Sequence, residues 1–239
     1  MKAYNYSLST NPIPEEEREY LKYFKALLSE VKSARTHYNI WKSIINAFNM
    51  YNPEVNEARV FFSNTEYAHR LAALTHGYKI FFESSGDLNI LRLLNHISRN
   101  LDIFSIERYS QRIQGRAYYD SLLSNHIPLT PNDIRRYKHL LRSKQNIIDT
   151  LIKLRNKKLA HIDLEELFFG SSIYPIPTID FEQLLSICFR ILSELRINYD
   201  DTILSIETSV ESELNRILES VRNYRQEEIL SESFANGTP

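Results

Sequence analysis

Residues 14–49 carry Tyr20, Tyr23, Phe24, Leu27, Leu28 and Val31, then Trp41, Ile44, Ile45 and Phe48, at three- and four-residue spacing. That is the period of a helical face, in two pieces that form one helix or two, and a chain that repeats it this long is committed to helix. Glycine is scarce, with 5 among 239 residues, below the usual share of about 7%. Few positions can therefore take left-handed backbone, which suits long helices better than many short strands. No stretch alternates apolar and polar residues over the length of a strand. The expected fold is all-α, a single-domain helical bundle built on long antiparallel helices. It covers residues 14–230, with 1–13 as an irregular arm and 231–239 as a flexible tail.

The punctuation marks further elements. Asn52-Pro53 ends the first region and opens a second, with Asn52 as N-cap and Pro53 at the first helical position. A long helix is expected over 54–83, stopped by Gly86 as a left-handed cap. Shorter helices follow over about 88–99 and 105–124, and His126-Ile127-Pro128 breaks the chain. Thr130-Pro131-Asn132-Asp133 is the clearest start signal: an N-cap Thr, a first-position Pro and an acid at the third position. The helix it opens is expected to reach 161 or 162. Two prolines make 170–177 irregular. Thr178 or Asp180 then starts a helix to 195, and Asp200 or Asp201 starts a last one to about 229.

Several function classes drop out. A single cysteine, Cys188, excludes an internal disulfide and a cysteine-based zinc site, and its apolar neighbours predict a buried thiol. The first residues lack an apolar signal core, and no apolar run is long enough to span a bilayer. A soluble cytoplasmic protein without membrane contact is expected. No phosphate-cradling glycine loop, nucleophile elbow or zinc-protease motif is present. His69 and His76 lie seven apart with Glu66 nearby. They are too far apart for one metal without a third element and read first as structural histidines. No metal and no cofactor are expected.

Charge is uneven although the net charge is −1. Between 131 and 161, Arg135, Arg136, Lys138, Arg142, Lys144, Lys153, Arg155, Lys157 and Lys158 face only Asp133 and Asp149. Residues 200–232 are strongly acidic in turn. Such a contrast fits a polyanion-binding face, or two helices that attract each other.

The stretch LIKLRNKKLAHID, residues 151–163, ends the basic segment. On a helical wheel Arg155 falls inside the apolar stripe, one heptad after Ile148, where a guanidinium must be paired or line a cleft. His161 lies about 120° round and roughly 9 Å further along the axis, so the two do not converge on one straight helix. A second copy of the segment in a symmetric dimer would complete the set. The chemistry available is specific. Imidazole can move a proton to or from a ribose hydroxyl near neutral pH, and guanidinium can hold and neutralise phosphate. Asn156 can orient the histidine or hold a phosphate oxygen, and Lys144, Lys157 and Lys158 add phosphate-binding charge. Basic residues also favour the last helical turn for its dipole alone, so the spacing by itself does not demand catalysis.

RNKKLAH fits the Arg-x(4–6)-His signature of the HEPN superfamily, with Asn directly after the Arg, and LAHID resembles its abortive-infection branch. A looser resemblance runs over about 40–195, through the Trp41 helix, the KIFFES segment and the LNILRLLNHI helix. The resemblance implies an all-α bundle and a homodimer through the 130–162 helix. It also implies a metal-independent endoribonuclease acting on RNA in a toxin–antitoxin or phage-defence setting, with an antitoxin protein as a possible partner. Arg155, Asn156 and His161 are the positions that carry over as catalytic. Some members carry a tyrosine shortly after the histidine that an antitoxin modifies; here Asp163 and Leu164 follow. Other members are non-catalytic helical dimers that bind nucleotide or a partner protein, and that is the alternative reading.

Overall fold

The computed structural model describes residues 13–82, 88–154, 176–205 and 210–235. The described residues contain helices and no strand. The helices are α1 (Glu15–Met50), α2 (Asn52–Glu57), α3 (Arg59–Phe81), α4 (Ile90–Arg99), α5 (Ile106–Ile113), α6 (Tyr119–Asn125), α7 (Pro131–Arg142), α8 (Gln145–Leu154), α9 (Thr178–Asp200) and α10 (Val210–Ala235). A 3₁₀ turn, Leu101–Phe104, joins α4 to α5.

They gather into two compact units. The first holds residues up to Lys32 and from His76 to Ser205. Its core takes Tyr20, Phe24, Leu27 and Val31 from α1, Leu93, Leu94 and Ile97 from α4, and Phe181, Leu184, Leu185, Cys188, Ile191, Leu192 and Leu195 from α9. Burying each large apolar side chain is worth about 1.5–3 kcal/mol. Cys188 is fully buried, as its apolar neighbours predict, and burial pushes its thiol far above the ordinary range.

The second unit holds Ser33–Thr75 and Ile206–Pro239. Ala47, Tyr51, Val55 and Leu218 form its centre, with Phe48, Phe62 and Leu214 packed against them. Within this unit, Arg222 on α10 is bonded to α2 and to the end of α1. Its Nε donates to the buried Glu54 at 2.9 Å, and an NH2 nitrogen donates to the Met50 carbonyl at 2.8 Å. That bond satisfies a carbonyl at the end of α1, which has no partner within its own helix. The Arg222 guanidinium also lies 4.5 Å from the centre of the Tyr51 ring.

Several boundaries differ from expectation. The first segment is one unbroken helix, α1. The expected 54–83 helix is interrupted at Ala58, whose ψ of 40° leaves the helical range and separates α2 from α3. Tyr51, not Asn52, is the N-cap of α2, and it makes no side-chain cap. The expected 105–124 helix divides because Gly115 at φ 81° and Tyr118 at φ 64° turn the chain between α5 and α6. Asp201, expected to open the last helix, instead closes α9 in a left-handed conformation at φ 53°, a role its short polar side chain tolerates. The last helix begins at Val210 and runs through Ala235, into the stretch expected as a tail. Gly86, expected as a cap, lies outside the described residues.

Candidate functional site

The elements that lead to the 151–163 stretch are α7 and α8. Thr130 opens α7 with the reciprocal cap its sequence predicts. Its backbone N–H donates to Asp133 Oδ2 at 3.0 Å, while its hydroxyl oxygen accepts from the Asp133 N–H at 3.3 Å. The Thr130 hydroxyl also donates to the same carboxylate at 2.6 Å, and these bonds hold the Asp133 carboxyl below its ordinary range. Pro131 takes a first-turn position whose N–H would have no helical partner.

Within the described residues, the single helix expected over 130–162 divides in two between 142 and 145. α7 ends at Arg142 and α8 begins at Gln145. The cause is local hydrogen bonding. The Ser143 hydroxyl donates to the Leu140 carbonyl at 2.7 Å, and the Lys144 N–H turns to the Leu141 carbonyl at 3.0 Å, a three-residue step. Serine competes in this way for carbonyls that the helix would otherwise use. The apolar face survives the break. Ile134, Tyr137 and Leu141 are buried on α7, and Ile148, Leu151 and Leu154 on α8.

α8 is seated by a close approach. A methyl group added at Gly77 of α3 would sit 2.8 Å from Phe181 on α9 and 3.5 Å from Leu151 on α8. Only glycine leaves room for the Phe181 ring there. Leu151 and Leu154 are both buried in the turn before Arg155.

Arg155, Asn156, Lys157, Lys158 and His161 lie outside the described residues, and so does everything from 155 to 175. Of the expected site residues, Lys144 is the one described. It is half-buried at the α7–α8 break, and its amine donates to Gln183 Oε1 on α9 at 2.7 Å. Gln183 is neutral, so this bond positions the ammonium without cancelling its charge.

The other basic residues of α7 divide by partner. Arg136 pairs with Asp133 at 3.3 Å and with Glu194 of α9 at 3.0 Å. Lys138 donates to Asn95 of α4 at 2.7 Å. Burial works against the Glu194 charge, but Arg190, Tyr137 and Arg136 outweigh it and hold this carboxyl below its ordinary range. Burial and the bond to Glu194 push the Tyr137 hydroxyl far upward. Arg142 and Lys153 are exposed. In the acidic segment, Asp200 pairs with Arg196, Glu211 meets Asn46 and Glu219 meets Tyr51.

His69 and His76 each meet a side chain of α1. His69 meets His37 of α1, with their Nδ1 atoms 2.8 Å apart, and His76 meets Glu30 at 2.7 Å. Among the described residues no three His, Cys, Asp or Glu side chains are placed to hold a metal ion together. None of the described helices is long and apolar enough to cross a membrane.

A buried network in the first unit had no signature in the sequence. Arg112 of α5 donates to Glu17 of α1 at 3.0 Å and to the Tyr199 carbonyl at 2.7 Å, and the Tyr199 hydroxyl donates to the same Glu17 carboxylate at 2.8 Å. Arg108 adds a bond to Glu17 at 3.2 Å and another to Asp102 at 2.7 Å. The participants are scattered along the chain, so no local spacing could mark them.

Comparison with curated proteins and with solved structures returns no match. The HEPN_AbiU2 family model, described as AbiU2, matches residues 17–225. That span includes α7, α8 and the Arg155–His161 stretch. The chain therefore belongs to the HEPN_AbiU2 family, a HEPN-type family of abortive-infection proteins.

Proposed function

We propose that this protein is a metal-independent endoribonuclease of an abortive-infection or toxin–antitoxin system, working as a homodimer through the 130–162 segment. The observation that carries the reading is membership of an abortive-infection HEPN family whose matched span includes Arg155, Asn156 and His161, residues that resemble the Arg-x(4–6)-His signature of the HEPN superfamily. A supporting feature is the buried end of α8, where Leu154 packs inward immediately before Arg155.

In this reading His161 takes the proton of a ribose 2′-hydroxyl or delivers one to the leaving 5′-oxygen. The 2′-oxygen forms a bond to phosphorus as the bond from phosphorus to the 5′-oxygen breaks, leaving a cyclic phosphate and a 5′-hydroxyl. Arg155 stabilises the charge that gathers on the phosphoryl oxygens, and Asn156 orients the histidine or a phosphate oxygen. Lys144, Lys157 and Lys158 hold the flanking phosphates; Lys144 reaches them by exchanging its bond to Gln183. DNA, which lacks the 2′-hydroxyl, is not cut.

Expression in growing cells tests the reading. The wild-type chain should arrest growth and His161→Ala should not, at equal protein level. Equal arrest from both contradicts it. A variant-independent association with RNA or nucleotide, without cleavage, would favour a silent binding dimer.

A further inference from the structure

The cations of α7 and of the α7–α8 break meet two kinds of partner. Arg136 is neutralised, by Asp133 at 3.3 Å and by Glu194 at 3.0 Å. Three others meet side-chain amides instead. Arg135 donates to Asn132 Oδ1, Lys138 to Asn95 Oδ1 at 2.7 Å and Lys144 to Gln183 Oε1 at 2.7 Å. An amide oxygen holds a cation in place without cancelling its charge. Arg142 is exposed and pairs with no acidic side chain among the described residues. The same holds for Lys153, near the end of α8. The acids of these two helices are Asp133, engaged by Thr130 and Arg136, and Asp149, which accepts from Gln145. Arg135 and Arg142 are seven residues apart, so they share one side of α7, roughly 10 Å apart along its axis. Lys138 flanks them, and the buried Ile134, Tyr137 and Leu141 face the core.

We propose that this face of α7, through Arg135, Lys138 and Arg142, grips the phosphate backbone of a single RNA strand outside the nucleotides that are cut. The inference rests on the reading above that the chain acts on RNA, and it adds a contact area separate in sequence from Arg155–His161. The guanidinium fork matches phosphate oxygens, and lysine serves as a point charge. Such contacts carry affinity and no sequence preference. The occupant is a polyanion and not a protein partner, because the face has no apolar anchor: none of the exposed large apolar side chains among the described residues lies on α7 or α8. α8 then leads the chain from this face to Arg155.

The test measures binding of the full-length chain carrying His161→Ala to a labelled single-stranded RNA of about 16 nucleotides, over a range of salt. Arg135→Gln and Arg142→Gln should each weaken binding about threefold and each lower the slope of log Kd against log salt by about 0.7. Arg136→Gln removes the same charge from the same helix, but from a side chain already paired, and should leave the slope unchanged. Equal slopes for all the variants and the parent overturn the inference, and so does an equal loss with Arg136→Gln. Polyglutamate bound as tightly as RNA, and lost with the same variants, overturns the assignment to RNA. Should a variant fail to fold, cross-linking of the probe to the parent chain decides, and no cross-link within residues 131–142 overturns it. Equal slopes beside growth arrest that needs His161 would sink this inference alone; arrest that survives His161→Ala would sink the cleavage reading alone.

Discussion

Arg112 and Glu17 form a pair 3.0 Å apart in the first unit, with side chains only 13% and 9% exposed. Tyr199 binds both partners: its carbonyl accepts from the guanidinium and its hydroxyl donates to the carboxylate. The Arg112 guanidinium also lies 3.9 Å from the centre of the Tyr199 ring. The start of α1, α5 and the end of α9 are thus joined at one point. Removing Glu17 leaves the Arg112 charge facing carbonyls in a dry place, and removing Arg112 leaves the Glu17 carboxylate to Arg108 and the Tyr199 hydroxyl. Arg112→Ala should lower unfolding stability by about 3 kcal/mol, and Glu17→Ala by a similar amount. The double variant Glu17→Leu/Arg112→Met should lose less than either single change, because no charge is left unpaired. Urea unfolding measures all of these.

Gly77 sets how closely α3 approaches α9 and α8. Alanine there would put a methyl 2.8 Å from the Phe181 ring. Gly77→Ala should cost about 1–3 kcal/mol through overpacking, despite alanine's better helix propensity. Phe181→Leu in the same chain should return part of that loss if the ring is what resists the methyl. Thermal unfolding of the single and double variants checks this.

The start of α7 should be acid-sensitive. Hydrogen bonds from Thr130 depress the Asp133 carboxyl, and Arg190, Tyr137 and Arg136 depress that of Glu194 against the effect of burial. A carboxyl whose folded pKa lies below its unfolded value stabilises the fold above the unfolded value. That contribution is lost as pH falls through the folded one. Stability should therefore drop as the pH goes below about 4, and Asp133→Asn should make the drop shallower. Thr130→Ala, which removes the hydroxyl side of the cap, should cost about 1 kcal/mol at neutral pH.

What could be read from the chain was local. Thr130, Pro131 and Asp133 lie within one turn, and their side-chain chemistry alone sets the start of α7. The apolar period of α1 and α9 was equally plain, because each helix buries a continuous stripe. The break at Ser143 was not, because Leu141 and Ile148 keep heptad phase across it and the wheel cannot see a hydroxyl turning to the Leu140 carbonyl. Nor was the pairing of His69. Its partner, His37, comes from another helix. The network of Glu17, Arg112 and Tyr199 depends on contacts between distant parts of the chain, which no spacing encodes. In the proposed site itself, the sequence motif remains the sharper guide. Arg155 and His161 lie beyond the described end of α8, and the structure contributes the buried Leu151 and Leu154 that lead into them.

The central claim is that His161 moves a proton during RNA cleavage without a metal. The direct measurement is incubation of purified protein with single-stranded RNA in excess chelator, followed by analysis of the new ends. The wild type should yield cyclic-phosphate and 5′-hydroxyl termini, and His161→Ala, folded and of the same oligomeric state, should yield none above background. Cleavage that the chelator abolishes, or that His161→Ala retains in full, would contradict it.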